Sequence, residues 1–325
     1  MFTNNKNNKG VVLLSVLMVI LLLSSIAAFI GNKYFISLKR FAYLEYQTQA
    51  INYYRGIESI SMKRIKDELE ANKEYLPRNH PLLNDIFSYE ANGGLIKTSV
   101  DDLSNCININ ALVSLTNNQY KDNEESIKRL KKYFALKEID EIYIDEFIDQ
   151  VIDWIDKDTD PRANGVEDYY YTGPLTNPKH YSGMRYFYNI SELKPLPATS
   201  IIGWENINEF LCVLPINEQS YININSLEEG DGILLASAFE NLSLDDAEYI
   251  IFNMPQEGFD QINTFFNNFS NIDFGDVYTG IEFTSNKFQI VSELIADDFN
   301  SKSYTTIYYG NNKNGDILLR TYNGI

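Results

Sequence analysis

Cysteine and histidine are scarce in this chain of 325 residues: there are two of each, Cys106, Cys212, His80 and His180. A tetrahedral zinc site would need all four, and their spacing matches no zinc motif. Positive charge is also in deficit, with 27 Lys+Arg against 45 Asp+Glu and a formal net charge of −18. Lys6, Lys9, Lys33, Lys39 and Arg40 lie in the first forty residues, which hold no acid. The other 22 cations face all 45 acids, so the rest of the chain carries −23. A body that acidic repels phosphate backbones, which argues against nucleic acid as a partner. It suits a protein that gathers cations or stays soluble outside the cytoplasm. No G-x-S-x-G nucleophile motif occurs, and no carboxylate pair sits in an apolar stretch that would raise a pKa for acid catalysis. The chain therefore reads as a non-enzyme. Hydrophobic residues at 44% and aromatics at 14% still supply real cores, which excludes wholesale disorder.

Charge and proline are both missing from residues 11–30, VVLLSVLMVILLLSSIAAFI. As a helix this run measures about 30 Å, the thickness of a bilayer core. Lys6 and Lys9 favour keeping the N-terminal side in the cytoplasm, while Lys33, Lys39 and Arg40 weaken that bias. Three readings fit: a plain membrane anchor, a secretory signal cut near Ser25 to Ala28, or a prepilin leader cut between Gly10 and Val11. Residues 33–70 contain no proline and only Gly56 as a weak point. Phe41, Leu44, Ile51, Tyr54, Ile57, Ile60, Ile65 and Leu69 recur at roughly helical spacing, so the helix is expected to continue. From Val11 to Leu69 it would extend about 90 Å. A signal peptide needs no such continuation; a pilin-type subunit does.

Pro77 and Pro81 are expected to end this helix. Residues 86–104 read as a hairpin turning at Asn92-Gly93-Gly94. Residues 124–136 and 140–156 read as helices, the second with an inward stripe of Ile144, Phe147, Ile148, Val151, Ile152 and Ile155. A polar loop over 156–183 follows, with helical pieces around 190–213, 229–253 and 257–269. The tail 287–323 has strand character, with a last turn from Asn311 to Gly315. The order predicts an α+β fold: leader 1–10, helix halves split near 31, a head from 32–110 and 282–325, and an all-α insertion at about 111–281. Cys106-Ile-Asn-Ile-Asn-Ala-Leu112 is echoed by Tyr221-Ile-Asn-Ile-Asn-Ser-Leu227, and Asn110 and Asn225 are expected to cap helices. Ile190–Pro197 and Gly258–Phe266 look like helix-hairpin-helix units but lack the Gly-x-Gly turn and the basic residues, so they read as packing units. Cys106 and Cys212 both flank elements expected to be buried; two buried thiols and one disulfide are both compatible with that.

The acidic loop suggests a metal site. Asp156, Asp158 and Asp160 occupy positions one, three and five, and Glu167 position twelve, the ligand spacing of a calcium-binding EF-hand loop. Pro161 stands where the sharp-turning glycine belongs, and no helix clearly follows Glu167, so this is not an EF-hand. An oxygen-rich loop closing on Ca²⁺ by similar logic remains the expectation, with Asp168 and Asn164 or a carbonyl completing the shell. Arg162 is placed to pair with one carboxylate. The alternative is a solvated acidic loop.

Four segments stand out together: Gly10 before the apolar run, Asp101-Asp102-Leu-Ser-Asn-Cys-Ile-Asn-Ile-Asn-Ala-Leu112, Ile152-Asp-Trp-Ile-Asp-Lys-Asp-Thr-Asp-Pro-Arg162 with Gly165-Val-Glu-Asp-Tyr169, and Tyr221-Ile-Asn-Ile-Asn225. In this order they resemble the minor pseudopilin K family of type II secretion. The resemblance implies a type IV pilin-like head with a large helical insertion, bound calcium and cleavage by prepilin peptidase at Gly10–Val11. It also implies a single-pass inner-membrane location with a periplasmic head, and a place at the pseudopilus tip with the I, J and H pseudopilins. Ser15 stands at the fifth position after the cut, where pilin-like chains usually carry a Glu that neutralises the amine of the subunit above. Its absence suits a first subunit. The competing reading is a membrane-anchored, calcium-dependent adhesive protein of the pilin class, distinguished by an uncut or later-cut chain.

Overall fold

The computed structural model describes residues 9–71, 76, 78, 80–91, 94–116, 119–174, 176–214, 221–296, 299–310 and 315–324. The expected leader before Lys9, Pro77, the Asn92-Gly93 turn and residues 311–314 of the last turn lie outside them.

One helix, α1 (Lys9–Ala71), runs unbroken for 63 residues, about 95 Å. Every side chain from Val11 to Glu45 is exposed. From Tyr46 one face turns inward through Tyr46, Ala50, Tyr54, Ile57, Ser61, Ile65 and Leu69, steps of three and four that keep one side of a 3.6-residue helix on the sheet. Phe41, Leu44 and Ile60, expected on that stripe, are exposed instead. α1 ends before Pro81, which opens a one-turn helix, α2 (Pro81–Asn84), capped by His80 Nδ1 accepting from the Leu82 amide. Proline suits a first helical position because its missing N–H would be unpaired there anyway.

The head sheet comprises β1 (Phe87–Ala91) and β2 (Gly94–Asp102), then three strands from the far end of the chain. The elements between them form the insertion. In chain order these are β3 (Ile107–Asn108), β4 (Val113–Thr116), β5 (Gln119–Asp122), α3 (Glu124–Leu136), α4 (Glu141–Ile155), α5 (Asp168–Tyr171), α6 (Pro197–Ile202), α7 (Trp204–Asn208), β6 (Leu211–Cys212), β7 (Tyr221–Asn223), α8 (Gly232–Ser237), α9 (Leu244–Phe252), α10 (Ile262–Asn268) and β8 (Gly280–Glu282). The chain returns to the sheet through β9 (Lys287–Ala296), β10 (Phe299–Tyr309) and β11 (Gly315–Asn323). The sheet order is β1-β2-β9-β10-β11 and every pairing is antiparallel. The insertion thus spans everything between neighbouring strands β2 and β9, wider than the expected 111–281.

The insertion is not all-α. It contains parallel pairs β3–β6 and β7–β8 and the antiparallel pair β4–β5. Pairs of two to four residues are too short to show an alternating pattern, so sequence periodicity passes over them. The insertion has its own core, running from Ile107 to Phe283, separate from the two clusters between α1 and the head sheet. That helix–sheet interface is partly polar. Tyr46 and Tyr54 hydroxyls meet Ser301, and Glu58 makes a two-pronged pair with Arg320 at 2.7 and 2.8 Å while accepting from Thr305.

Candidate functional site

The two asparagine motifs fold alike. In each, a short strand runs into a 3₁₀ turn, Ile109–Leu112 or Ile224–Ser226. The first asparagine is the cap: Asn108 accepts from the Asn110 amide and Asn223 from the Asn225 amide. Asn110 and Asn225, expected as caps, instead reach across the fold, because capping is a local bond and the second side chain points into the core. Asn110 accepts from the Phe187 amide and donates to the Phe187 and Leu214 carbonyls. Asn225 accepts from the Phe259 amide and donates to the carbonyls of Leu76, Phe259 and Phe283. Gly258, at φ +76°, leaves room where a Cβ would overlap the Asn225 amide. Each phenylalanine precedes a helical piece, Ile190–Leu193 or α10, and each unit ends in a strand parallel to its first. The two halves of the insertion therefore share one arrangement around their asparagines, although β4, β5 and α5 occur only in the first. The first is closed by a disulfide, Cys106–Cys212, with Cα atoms 5.8 Å apart. The second is tied to the head through Leu76, whose amide donates to the Phe283 carbonyl, and through Asp102, which accepts from Asn223 and Ser226.

The acidic loop leaves the C-terminus of α4. Its predicted inward stripe is buried throughout, and the opposite edge carries Asp149, Asp153 and Asp156 at i, i+4 and i+7. Oxygen atoms of Asp156, Asp158 and Glu167 converge to within 4.8 Å of one another. Glu167 is 1% exposed, and among the described residues neither of its oxygens, nor Asp156 Oδ1, finds a hydrogen-bond partner. Contrary to the expectation from sequence that no carboxylate pair is raised, burial, then the neighbouring carboxylates, push Glu167 up to about 7 and Asp156 up to about 7. Asp153 is pushed to about 6, chiefly by burial. Buried, unpaired carboxylate oxygens this close repel one another unless they take up a proton or a cation sits among them. Three hard carboxylates fit Ca²⁺, whose shell of six to eight oxygens would take further ligands from carbonyls or water.

The other expected ligands are not among the converging oxygens. Asp160 is exposed and its amide donates to Asp158 Oδ1. Asn164 donates through backbone and side chain to Asp149. Asp168 accepts from the amide and hydroxyl of Ser182, and α5 begins directly after Glu167, where no helix was expected. Asp149 and Asp153 escaped the sequence reading, although their i, i+4, i+7 spacing with Asp156 carries the signal. Asp153 accepts from the Arg162 amide, and the loop passes so close that a Cβ on Gly165 would overlap its carboxylate. Arg162 lies among Asp122, Asp149 and Asp153, more partners than the single one expected. Ser15 is exposed on α1, its hydroxyl donating to the Val12 carbonyl; Gly10 and Val11 fall in the same helix.

Residues 105–216 and 222–277, together more than half of the chain, match two family models that both carry the description Type II secretion system (T2SS), protein K. The chain belongs to the type II secretion system protein K family. The boundary between the two models falls between the two halves of the insertion. Type II secretion system protein K of Aeromonas hydrophila is 26% identical over 258 residues, 77% of this chain and 76% of that one. The Pectobacterium carotovorum protein is 28% identical over 264 residues, covering 77% and 76%, and that of Dickeya chrysanthemi 25% over 296 residues, covering 80% and 81%. A chain of the GspK-GspI-GspJ complex from the enterotoxigenic Escherichia coli Type 2 Secretion System has the same fold. Its TM-score is 0.72 at 19% identity, over 86% of this chain and 96% of that one. This chain is accordingly a K-type minor pseudopilin of type II secretion, which disfavours the adhesin reading. α1 is long and apolar enough to cross a membrane once.

Proposed function

We propose that this chain is a structural subunit that caps the tip of a periplasmic pseudopilus and helps start its assembly. In this reading α1 crosses the inner membrane once, and prepilin peptidase cuts between Gly10 and Val11. The head joins I-, J- and H-type minor pseudopilins in the periplasm. The observation that carries it is the fold shared with almost the full length of a chain solved in a GspK-GspI-GspJ complex. Two features support the tip position. The insertion docks on Leu76, just past the C-terminus of α1 and opposite its apolar half, where it would obstruct a subunit stacked above. Ser15 offers no carboxylate to neutralise the amine of such a subunit, and an unpaired charge in mid-bilayer costs about 3 kcal/mol on insertion scales. Asp156, Asp158 and Glu167 hold a Ca²⁺ ion that fixes the loop after α4; the orphaned oxygens of Glu167 are the support for this.

The test is co-purification of the membrane-extracted chain with I- and J-type pseudopilins, with its N-terminus read by mass spectrometry. A ternary complex with this chain starting at Val11 is expected. A chain that starts at Met1 or near Ala28, or that binds neither partner, overturns the reading.

A further inference from the structure

The nine-residue helix α9 buries Ala247, Ile250 and Ile251 in the insertion core. Its outer face presents Asp245, Glu248, Tyr249 and Phe252, spaced i, i+3, i+4 and i+7, so they form one stripe. Together with Glu229 and Gly230 the stripe lines an open groove of about 660 Å³. Phe252 is 76% exposed and Tyr249 52%, whereas Phe239, Phe259, Phe265, Phe269 and Phe274 of the same half are buried. The Tyr249 ring is held edge-on against Phe269, so this aromatic surface is built rather than loose. Glu229, Asp245 and Glu248 have no ion-pair partner among the described residues. The nearby cation, Arg78, donates to the Ile251 carbonyl at the C-terminus of α9.

We propose that this groove is a docking strip for an amphipathic helix of another protein that carries Lys or Arg beside its apolar stripe. Two exposed aromatics at helical spacing offer ridges for a facing helix. The three carboxylates supply the complementary charge that selects a cationic partner and rejects an acidic one.

The test uses the full chain in phosphatidylcholine nanodiscs and a fluorescein-labelled 18-residue amphipathic helix of Leu and Lys, followed by anisotropy with empty discs as blank. The wild type should bind this peptide at least tenfold more tightly than its Leu/Glu counterpart. Tyr249→Ser with Phe252→Ser should weaken binding at least tenfold, and Asp245→Lys with Glu248→Lys should do the same. Glu90→Lys with Glu141→Lys, an equal charge change on exposed sites of β1 and α4, should leave it within twofold. If the aromatic pair disturbs the circular dichroism spectrum, Phe252→Ser alone serves, with at least a threefold loss expected. No binding above blank, no effect of the aromatic change, or equal weakening by the distant charge pair each overturns the proposal.

Discussion

Asn225 holds three chain segments with one side chain, and replacing it with leucine should break the joint between insertion and head. Leucine keeps the branching and heavy-atom count but is larger, so some overpacking beside Gly258 adds to the polar loss. The Phe259 amide loses its acceptor, and the Leu76 and Phe259 carbonyls lose their donor. The Phe283 carbonyl keeps the Leu76 amide and is not orphaned. Three buried backbone groups left unpaired at about 1–3 kcal/mol each give roughly 3–6 kcal/mol after partial relaxation. That is a large share of the roughly 5–15 kcal/mol that holds a domain folded. Loss of an ordinary helix cap gives the scale for comparison: Asn123→Ala, which removes the cap of α3, should cost about 1 kcal/mol. Denaturant unfolding of the full chain in detergent, with both variants side by side, measures the difference. Limited proteolysis around residue 76 should show the joint opening in the leucine variant alone. If Asn225→Leu costs no more than Asn123→Ala, the buried asparagine is not what joins the two parts, and the reasoning fails.

Calcium should raise the melting temperature of the wild type, by an amount equivalent to about 2.7 kcal/mol at a hundredfold excess over Kd. Glu167→Gln should abolish that gain yet melt higher than the wild type in chelator, because it removes a buried charge beside two others; identical wild-type melting with and without calcium would make the loop a merely solvated one. Cys106→Ser with Cys212→Ser frees a loop of 106 residues and should cost roughly 2–4 kcal/mol, read as a lower midpoint in urea. Arg320→Leu should destabilise more than Glu58→Gln, since the first strands a buried carboxylate and the second leaves a half-exposed guanidinium that water can reach; equal midpoints would count against the pair as the lock between α1 and the sheet.

Much of the fold is legible in the chain because its long elements carry strong periods. The apolar spacing through α4, the uncharged run opening α1 and the alternating tail each declare their structure. The inward face of α1 is harder to read, because it is built from Tyr46, Ala50 and Ser61 as well as large apolar residues. The second asparagine of each motif is opaque for a different reason. Asn108 and Asn110 are the same residue type two positions apart, and only the folded chain reveals which one bonds locally and which reaches Phe187. In the acidic loop, alternate spacing correctly brings Asp156, Asp158 and Glu167 together. It fails for Asp160 and Asn164, where Pro161 replaces the glycine turn and Asp149, on the preceding helix, takes Asn164 instead.

β2 and β9 sit side by side at the centre of the head sheet, yet the whole insertion lies between them. Closing so long a loop from an unfolded chain is slow, because ordering entropy accrues before any strand contact forms. Once folded, the insertion holds its own ends together: the Leu103 amide bonds the Lys287 carbonyl, and Ser104 meets Ser285. To the two strands it then acts as a hairpin turn. The expected folding order is therefore the double unit first and the central sheet pairing last. On that order β2 joins the β9–β10–β11 meander last, so a subunit with an unfolded insertion lacks the complete five-stranded head sheet.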